Sequence, residues 1–404
     1  MRPLTIISGV PPSLTVGAGR LIQHLVVEAL TWGPPVEFVY AGNKGEAAAA
    51  YRAGKLIRFS VQACVHYLRK FRTKISLGIL ARRPHVVLIH FQEIGVLWCR
   101  NFLLKRTQPT WIYILDASFF CIRSYNHLPG ESDACLLCLS GQYENALKNR
   151  CRPFPVDNSD TGDFIRFLHP LVTAGKVRLL AQNELSALLM RRHYGPGAVV
   201  RVIGLWTSDM NDIVESFPSE QLPEPAFDVV YHGDAKAAKG LHWALGLALA
   251  CPDLSFLFPC LQPPDHEIPV NCTFRPMRWE SGLRDAIHRS NLTLAPSLWS
   301  APIEGALVKS ILHSRRVAVV AVESSFSSEL TSDLVCRLSQ EFTVAAKQLK
   351  SRLAAPPTPQ VLVRSWFLES RKAARLVHRI AMAEEEVARD GCLPSSKINQ
   401  SIKS

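Results

Sequence analysis

The stretch "FDVVYHGDAKAAKGLHWAL", residues 227–245, decides how the chain is read. The apolar run Phe227 to Tyr231 stops at a loop containing Gly233. That loop carries Lys236 and Lys239, then opens an apolar helix. Strand, short loop and helix form the repeating unit of a parallel α/β sheet. Two lysines at a helix opening oppose the positive end of the helix dipole, which favours anions. A local conflict of this kind marks a place where a ligand supplies the missing charge. Two solvated loop lysines are the plainer alternative.

Outward from this unit the same alternation recurs on both sides. Upstream, "LTIISGV" reads as a strand, followed by the loop "PPSLTVGAG" and the helix "RLIQHLVVEAL". "VEFVYAG", "PHVVLIHF", "TWIYILDAS", "KVRLLAQ" and "AVVRVIGLW" are further strands; "EIGVLWCRNFLLKR" and "NELSALLMRRHYG" are helices between them. Short runs apolar on both faces, separated by helices, predict a parallel sheet. Downstream, "LSFLFPC", "VNCTFRP", "NLTLAPS" and "RVAVVAV" repeat the strand pattern, with helices at "ESGLRDAIHRS" and "EGALVKSILHS". The segment 215–227 holds three prolines and three glutamates and reads as a linker. The expected organisation is two tandem Rossmann-like α/β domains with a cleft between them. Residues 1–214 form the first, with a cysteine-rich insertion at 117–160. Residues 228–365 form the second, and 366–404 a C-terminal helix and tail.

The chain has 404 residues, 48% hydrophobic and 20% charged, which suits two globular cores. No apolar run reaches the roughly 18 residues of a spanning helix. Leu4 to Ile7 is too short for the core of a signal peptide. A cytoplasmic location is therefore expected. The net charge of +12 favours polyanionic partners. The densest basic cluster, residues 67–83, interleaves Arg69, Lys70, Arg72, Lys74, Arg82 and Arg83 with apolar side chains. It reads either as a solvated helix face or as a segment resting on an anionic membrane at its cytoplasmic side. No zinc-finger spacing and no aromatic RNA-binding signature is present, so nucleic acid is not an expected partner.

Ligands of doubly wound sheets bind beyond the C-terminal strand ends, so candidate sites follow the strands. Gly17 and Gly19 precede the first helix and let a phosphate approach its N-terminus. Gly233, Lys236 and Lys239 follow the first strand of the second half. In "APSLWSAPIEGALVKS", Ser297, Glu304 and Lys309 surround a helix start, where Glu304 also fits a capping role. His90 and Asp116 end two strands of the first half, facing the expected cleft. Cys121, Cys135, Cys138 and Cys151 follow as C-x13-C-x2-C-x12-C. That spacing suits a closed zinc site, an iron–sulfur cluster, a redox pair or unligated thiols. Between the first two, Arg123 to Asn126 offers polar groups beside the same cleft. Cys64, Cys99, Cys251, Cys260, Cys272, Cys336 and Cys392 read as small buried hydrophobes.

Taken in order, these passages resemble the two-Rossmann (GT-B) glycosyltransferases of the retaining group 1, or family 4, class, over roughly residues 4 to 365. "PPSLTVGAGR" is similar to that family's glycine loop, "PHVVLIHF" to its "DVVHAH" strand and "ILDASFFC" to its "LHDxWFLC" strand end. "VRLLAQNELSALLMRRHYGPGAVVRVIGLWTSD" resembles its "V-A-x-S-E…V-I-x-N-G-V-D" passage. "VVYHGDAKAAKGLHWAL" resembles "FVGRLVPEKGLDLL", and "LAPSLWSAPIEGALVKSILHSRRVAVVA" resembles "VLPSLWEEPFGLVLLEAMACGLPVVA". The resemblance implies a UDP- or GDP-sugar donor in the cleft and transfer, with retention, to a saccharide, lipid-linked or protein acceptor in cell-surface glycan assembly. It implies that Lys239 holds the donor diphosphate. The chain departs from the family at four places. Asp234 stands where an arginine is usual, leaving Lys236 as the substitute. Ala301 and Lys309 occupy the two glutamate positions, which leaves Glu304 as the nearby carboxylate and catalytic candidate, and Leu115 occupies that of the histidine before Asp116. These departures also fit an inactive relative kept as a scaffold, and the cysteines a metal-dependent sensor or adaptor.

Overall fold

The computed structural model describes residues 3–13, 17–31, 35–40, 77–153, 161–205, 223–263, 268–371 and 375–390, with isolated positions between 57 and 68. They form two six-stranded sheets in which every paired strand is parallel. The first contains β1 (Leu4–Ser8), β2 (Val36–Tyr40), β3 (His85–Ile89), β4 (Thr110–Tyr113), β5 (Val177–Ala181) and β6 (Val200–Val202), in the order β2-β1-β3-β4-β5-β6. The second contains β7 (Phe227–Tyr231), β8 (Phe256–Phe258), β9 (Cys272–Phe274), β10 (Ser290–Leu294), β11 (Val317–Val320) and β12 (Cys336–Leu338), in the order β12-β11-β10-β7-β8-β9. The central strands β1 and β3 are buried at every position, as their apolar runs require.

Each order reverses at one place. In the first sheet the reversal lies between β1 and β3, in the second between β7 and β10. Helices on opposite faces leave a crevice at such a switch point, beyond the C-terminal strand ends. The loops after β1, β3, β7 and β10 are therefore the ones that can hold a ligand, and they contain most of the candidate residues.

Several elements differ from the sequence reading. Gly95, at φ 108°, divides the expected helix after β3 into Phe91–Ile94 and Val96–Lys105. The structure adds the helix Thr161–Thr173, in which Phe164, Ile165, Leu168 and Val172 make one buried stripe. It also adds the three-residue β12 and the helix Phe342–Ala354. The last helical region is two helices, Gln360–Arg371 and Leu376–Asp390. The second of these crosses back to the first sheet. Leu376, Val377 and Ile380 pack into one core with Leu4, Ile6 and Leu25. Glu384 accepts hydrogen bonds from Trp111 at 2.6 Å and Arg178 at 2.8 Å, and Glu28 accepts from the Val377 N–H at 3.0 Å.

Candidate functional site

At the second switch point the loops after β7 and β10 are locked together. The His232 N–H donates to the Leu294 carbonyl at 2.8 Å, and the Leu298 N–H to that of Ala238 at 2.9 Å. Gly240, at φ 75°, lies so close that a Cβ would stand 1.9 Å from the Pro296 carbonyl oxygen. Only glycine fits there. The Tyr231 hydroxyl reaches the Asp234 and Lys239 carbonyls at 2.7 and 3.0 Å and supports the loop from beneath.

This scaffold presents Lys239 beside the start of the helix Gly305–His313. Glu304 occupies that helix's N-cap position, yet its side chain caps nothing and instead forms an ion pair with Lys239. The two side chains are only 15% and 12% exposed. The ammonium also lies over two rings, 4.8 Å from the centroid of Trp299 and 5.0 Å from that of Tyr125. Such contacts contribute about 0.5–2 kcal/mol each, more as water is excluded. Lys236 stands over the Tyr125 ring at 5.6 Å and pairs with Asp234 at 3.2 Å. The two lysines are thus brought together, and Asp234 screens the outer one. Ser297 sits half-buried in the same loop.

Lys309 lies about one turn further along the helix Gly305–His313. It is 4% exposed and lies 4.8 Å from the Trp279 ring centroid. Trp279 stacks on His232 at 5.7 Å, and His232 Nδ1 is 2.9 Å from the Ser310 hydroxyl. Burial first, then Lys309, pushes His232 down to about 3, so the imidazole is neutral at pH 7.

The first sheet presents its own switch point to the same space. A Cβ on Gly9 would stand 2.2 Å from the His90 carbonyl, so the loops after β1 and β3 meet closely. His90 adopts a left-handed conformation, φ 57°, and its buried Nδ1 has no hydrogen-bond partner. Gly17 opens the helix Gly17–Thr31, and Arg20 pairs across the crevice with Glu280 at 3.5 Å. Asp116 accepts from the Ser118 N–H at 2.9 Å and lines a recess with Ser186, Ser300 and Pro302. That recess has walls from both halves of the chain.

The insertion after β4 supplies contacts that sequence spacing did not reveal. Tyr125 packs on Trp299 with centroids 4.5 Å apart. Asn126 Nδ2 donates to the Ser300 hydroxyl at 2.9 Å, and its Oδ1 accepts from the Ser300 N–H at 3.1 Å. Burial raises the Tyr125 phenol to about 12; Lys236 opposes that rise, and Asp116, Asp234 and Glu304 add to it. Within the segment Arg123 to Asn126, Tyr125 and Asn126 meet partners 174 residues away in sequence, which local spacing cannot show.

Cys121, Cys135, Cys138 and Cys151 are free thiols lining one recess. Cys121 and Cys138 are buried, the other two half-buried. Burial raises the Cys138 thiol to about 11, with Cys135 and Cys151 adding to it. Among the described residues no group of three or more His, Cys, Asp or Glu side chains already stands at metal-holding spacing. Of the remaining cysteines, Cys99 and Cys251 are buried, Cys260, Cys272 and Cys336 half-buried, and Cys64 is exposed, against expectation. Cys392 lies outside the described residues, as does most of the basic segment 67–83. Within its described part, Arg83 pairs with Glu37 at 3.0 Å. No helix among the described residues is long and apolar enough to cross a membrane.

No family model and no curated protein matches this chain. Solved structures do. An Anabaena protein, HepE, crystallised with UDP, superposes with a TM-score of 0.56 at 11% identity, over 96% of this chain and 100% of its own. Sucrose-phosphate synthase from Thermosynechococcus elongatus gives 0.55 at 13%, over 96% and 99%. A glycosyltransferase from Rickettsia africae gives 0.50 at 9%, over 95% and 98%. Two parallel sheets, each with its switch point turned to a shared crevice, and these end-to-end superpositions establish that the chain has the two-Rossmann GT-B fold.

Proposed function

We propose that the chain is a glycosyltransferase that takes a sugar from a nucleotide-sugar donor, UDP- or GDP-linked. The observation that carries this reading is Lys239. It lies at the switch point of the second sheet, largely shielded from water, and Arg20 of the first half bridges the crevice to Glu280. A departing nucleoside diphosphate gains negative charge in the transition state. A fixed ammonium and backbone N–H groups stabilise that charge most where water is scarce. In this reading Lys239, supported by Lys236 and Gly233, receives the diphosphate, with Gly17 and Gly19 opposite. Glu304 holds the lysine in place until the anion arrives. Lys309 and Trp279 receive the far end of the donor, where a buried cation over an indole suits an anionic group better than a pair of ribose hydroxyls.

Asp116 and His90 serve the acceptor side, where a positioned carboxylate or imidazole orients or deprotonates the attacking hydroxyl. Retention of configuration, a hexose as the transferred sugar, a saccharide, lipid-linked or protein acceptor, and a place in cell-surface glycan assembly belong to the same proposal. So does work in the cytoplasm, with the basic segment 67–83 resting on a membrane. One observation favours a second reading. Lys239 is already neutralised by Glu304, and Ala301 and Lys309 leave no glutamate pair, as in a donor-free scaffold. Thermal-shift measurements with UDP, GDP, UDP-glucose and GDP-mannose separate the two. Stabilisation by a nucleotide and its sugar, followed by a product of matching mass, supports the enzyme. Silence across the panel refutes it.

A further inference from the structure

The four cysteines lie in a segment with little regular structure of its own. Between residues 120 and 153 the regular elements are a three-residue 3-10 turn and the five-residue helix Glu144–Lys148, which buries no side chain. Two of the three non-glycine residues with left-handed backbone among the described residues, Ser140 and Arg150, flank Cys138 and Cys151. Small segments without a core are usually fastened by a crosslink or a metal. No disulfide is present here, and all four thiols open onto one recess. The same recess is lined by His127, which is 2% exposed. Its Nε2 is bonded to the Glu131 carbonyl, while its Nδ1 is buried with no partner.

We propose that Cys121, Cys135, Cys138 and Cys151 bind one zinc ion, and that the resulting knuckle holds the insertion against the loop after β10. Coordination asks the thiols to close on a common ion and to release their protons; zinc takes thiolates without any redox step. The mechanical link is Asn126. Its backbone carbonyl accepts from the Cys135 N–H at 2.7 Å, and its Nδ2 donates to the Cys135 carbonyl at 3.0 Å. The same side chain grips Ser300 through two hydrogen bonds. Ordering Cys135 therefore orders Asn126, and through it Ser300, Trp299 and the ring of Tyr125 over Lys239.

The zinc site does not depend on the glycosyltransferase reading, and its test uses no nucleotide. Metal analysis of the purified full-length chain should find about one zinc per chain, with four thiols protected until a chelator is added. Stoichiometric iron with visible absorption, a disulfide among the four, or a folded metal-free chain with all four thiols titratable each overturns the assignment. Hydrogen exchange tests the link. The Ser300 amide should be protected in the zinc-loaded chain and exchange at least tenfold faster once zinc is stripped. Asn126→Ala, which leaves every cysteine in place, should keep its zinc and lose the same protection. Unchanged protection at Ser300 in both cases overturns the link, whatever nucleotides the protein binds.

Discussion

Replacing Glu304 by glutamine tests the central contact of the crevice. The substitution keeps the size of the side chain and removes the charge opposite Lys239. Fully exposed ion pairs contribute about 0–1 kcal/mol, and breaking a fully buried one costs about 3–5 kcal/mol. With side chains 15% and 12% exposed, this pair falls between, and glutamine still accepts a hydrogen bond. A loss of about 2 kcal/mol is expected, which lowers the unfolding midpoint by about 4–8 °C for a unit of 150–250 residues. If a nucleoside diphosphate takes Lys239 from Glu304, the wild type gives up the pair on binding and the variant does not. UDP or GDP should then bind the variant more tightly, by roughly tenfold or more, because about 1.4 kcal/mol corresponds to a factor of ten. Calorimetric titration beside a thermal melt reads both quantities on one preparation. Lys239→Ala is the control and should weaken the nucleotide at least tenfold. Stability down and affinity up is the signature. An E304Q protein with unchanged melting, or with nucleotide affinity equal to or below wild type, refutes the reasoning.

Other expectations follow from the same geometry. Gly240→Ala drives a Cβ towards the Pro296 carbonyl in a backbone conformation that costs about 1 kcal/mol for an L-residue before any clash; urea unfolding should show a loss above about 2 kcal/mol, and a neutral variant would contradict the loop contact. Asp116→Asn should slow sugar transfer by about a hundredfold or more while leaving nucleotide affinity unchanged; equal loss of both would make Asp116 a structural residue. Burial lowers His193 to about 4 and His232 and His313 to about 3. The unfolded chain takes up these protons near pH 6.5, so the stabilisation is complete above that value and is lost as pH falls towards 4 and 3. Each histidine contributes a decline of about 1.4 kcal/mol per pH unit in that window. Urea midpoints at pH 7.5 and 5.5 should differ accordingly, and equal midpoints would refute the assignment.

The strands were legible because both faces are buried, so each left a run of apolar residues with little polar interruption. β12 is three residues with an arginine at its centre and leaves no such run. The helix Thr161–Thr173 was hidden by Pro170, which reads as a break although the turn it interrupts lies at the helix end. Lys239 was visible because its position conflicts with a helix opening. Its partner was visible only as a residue at a helix start, for which capping is the usual explanation. Pairing two residues 65 apart requires knowing that β7 and β10 are neighbours, which follows from sheet order and not from spacing. Tyr125 and Trp299 come from opposite halves of the chain, and neither residue carries a local signature.

The return of the helix Leu376–Asp390 to the first sheet has a consequence for synthesis. All six strands of that sheet lie before residue 203, yet one of its buried faces is completed by Leu376, Val377 and Ile380. While the chain is being made, the part of that face under Leu376, Val377 and Ile380 stays open to solvent until the second half has been translated. A ribosome adding about 5–20 residues per second needs roughly 10–35 s to cover the gap. During that interval the first half is a sheet with one apolar side only partly covered, by Leu21, Ile22 and Leu25 of the helix Gly17–Thr31, a state in which chaperones bind and aggregation begins. Nascent chains stalled before residue 376 should therefore be the ones chaperones retain.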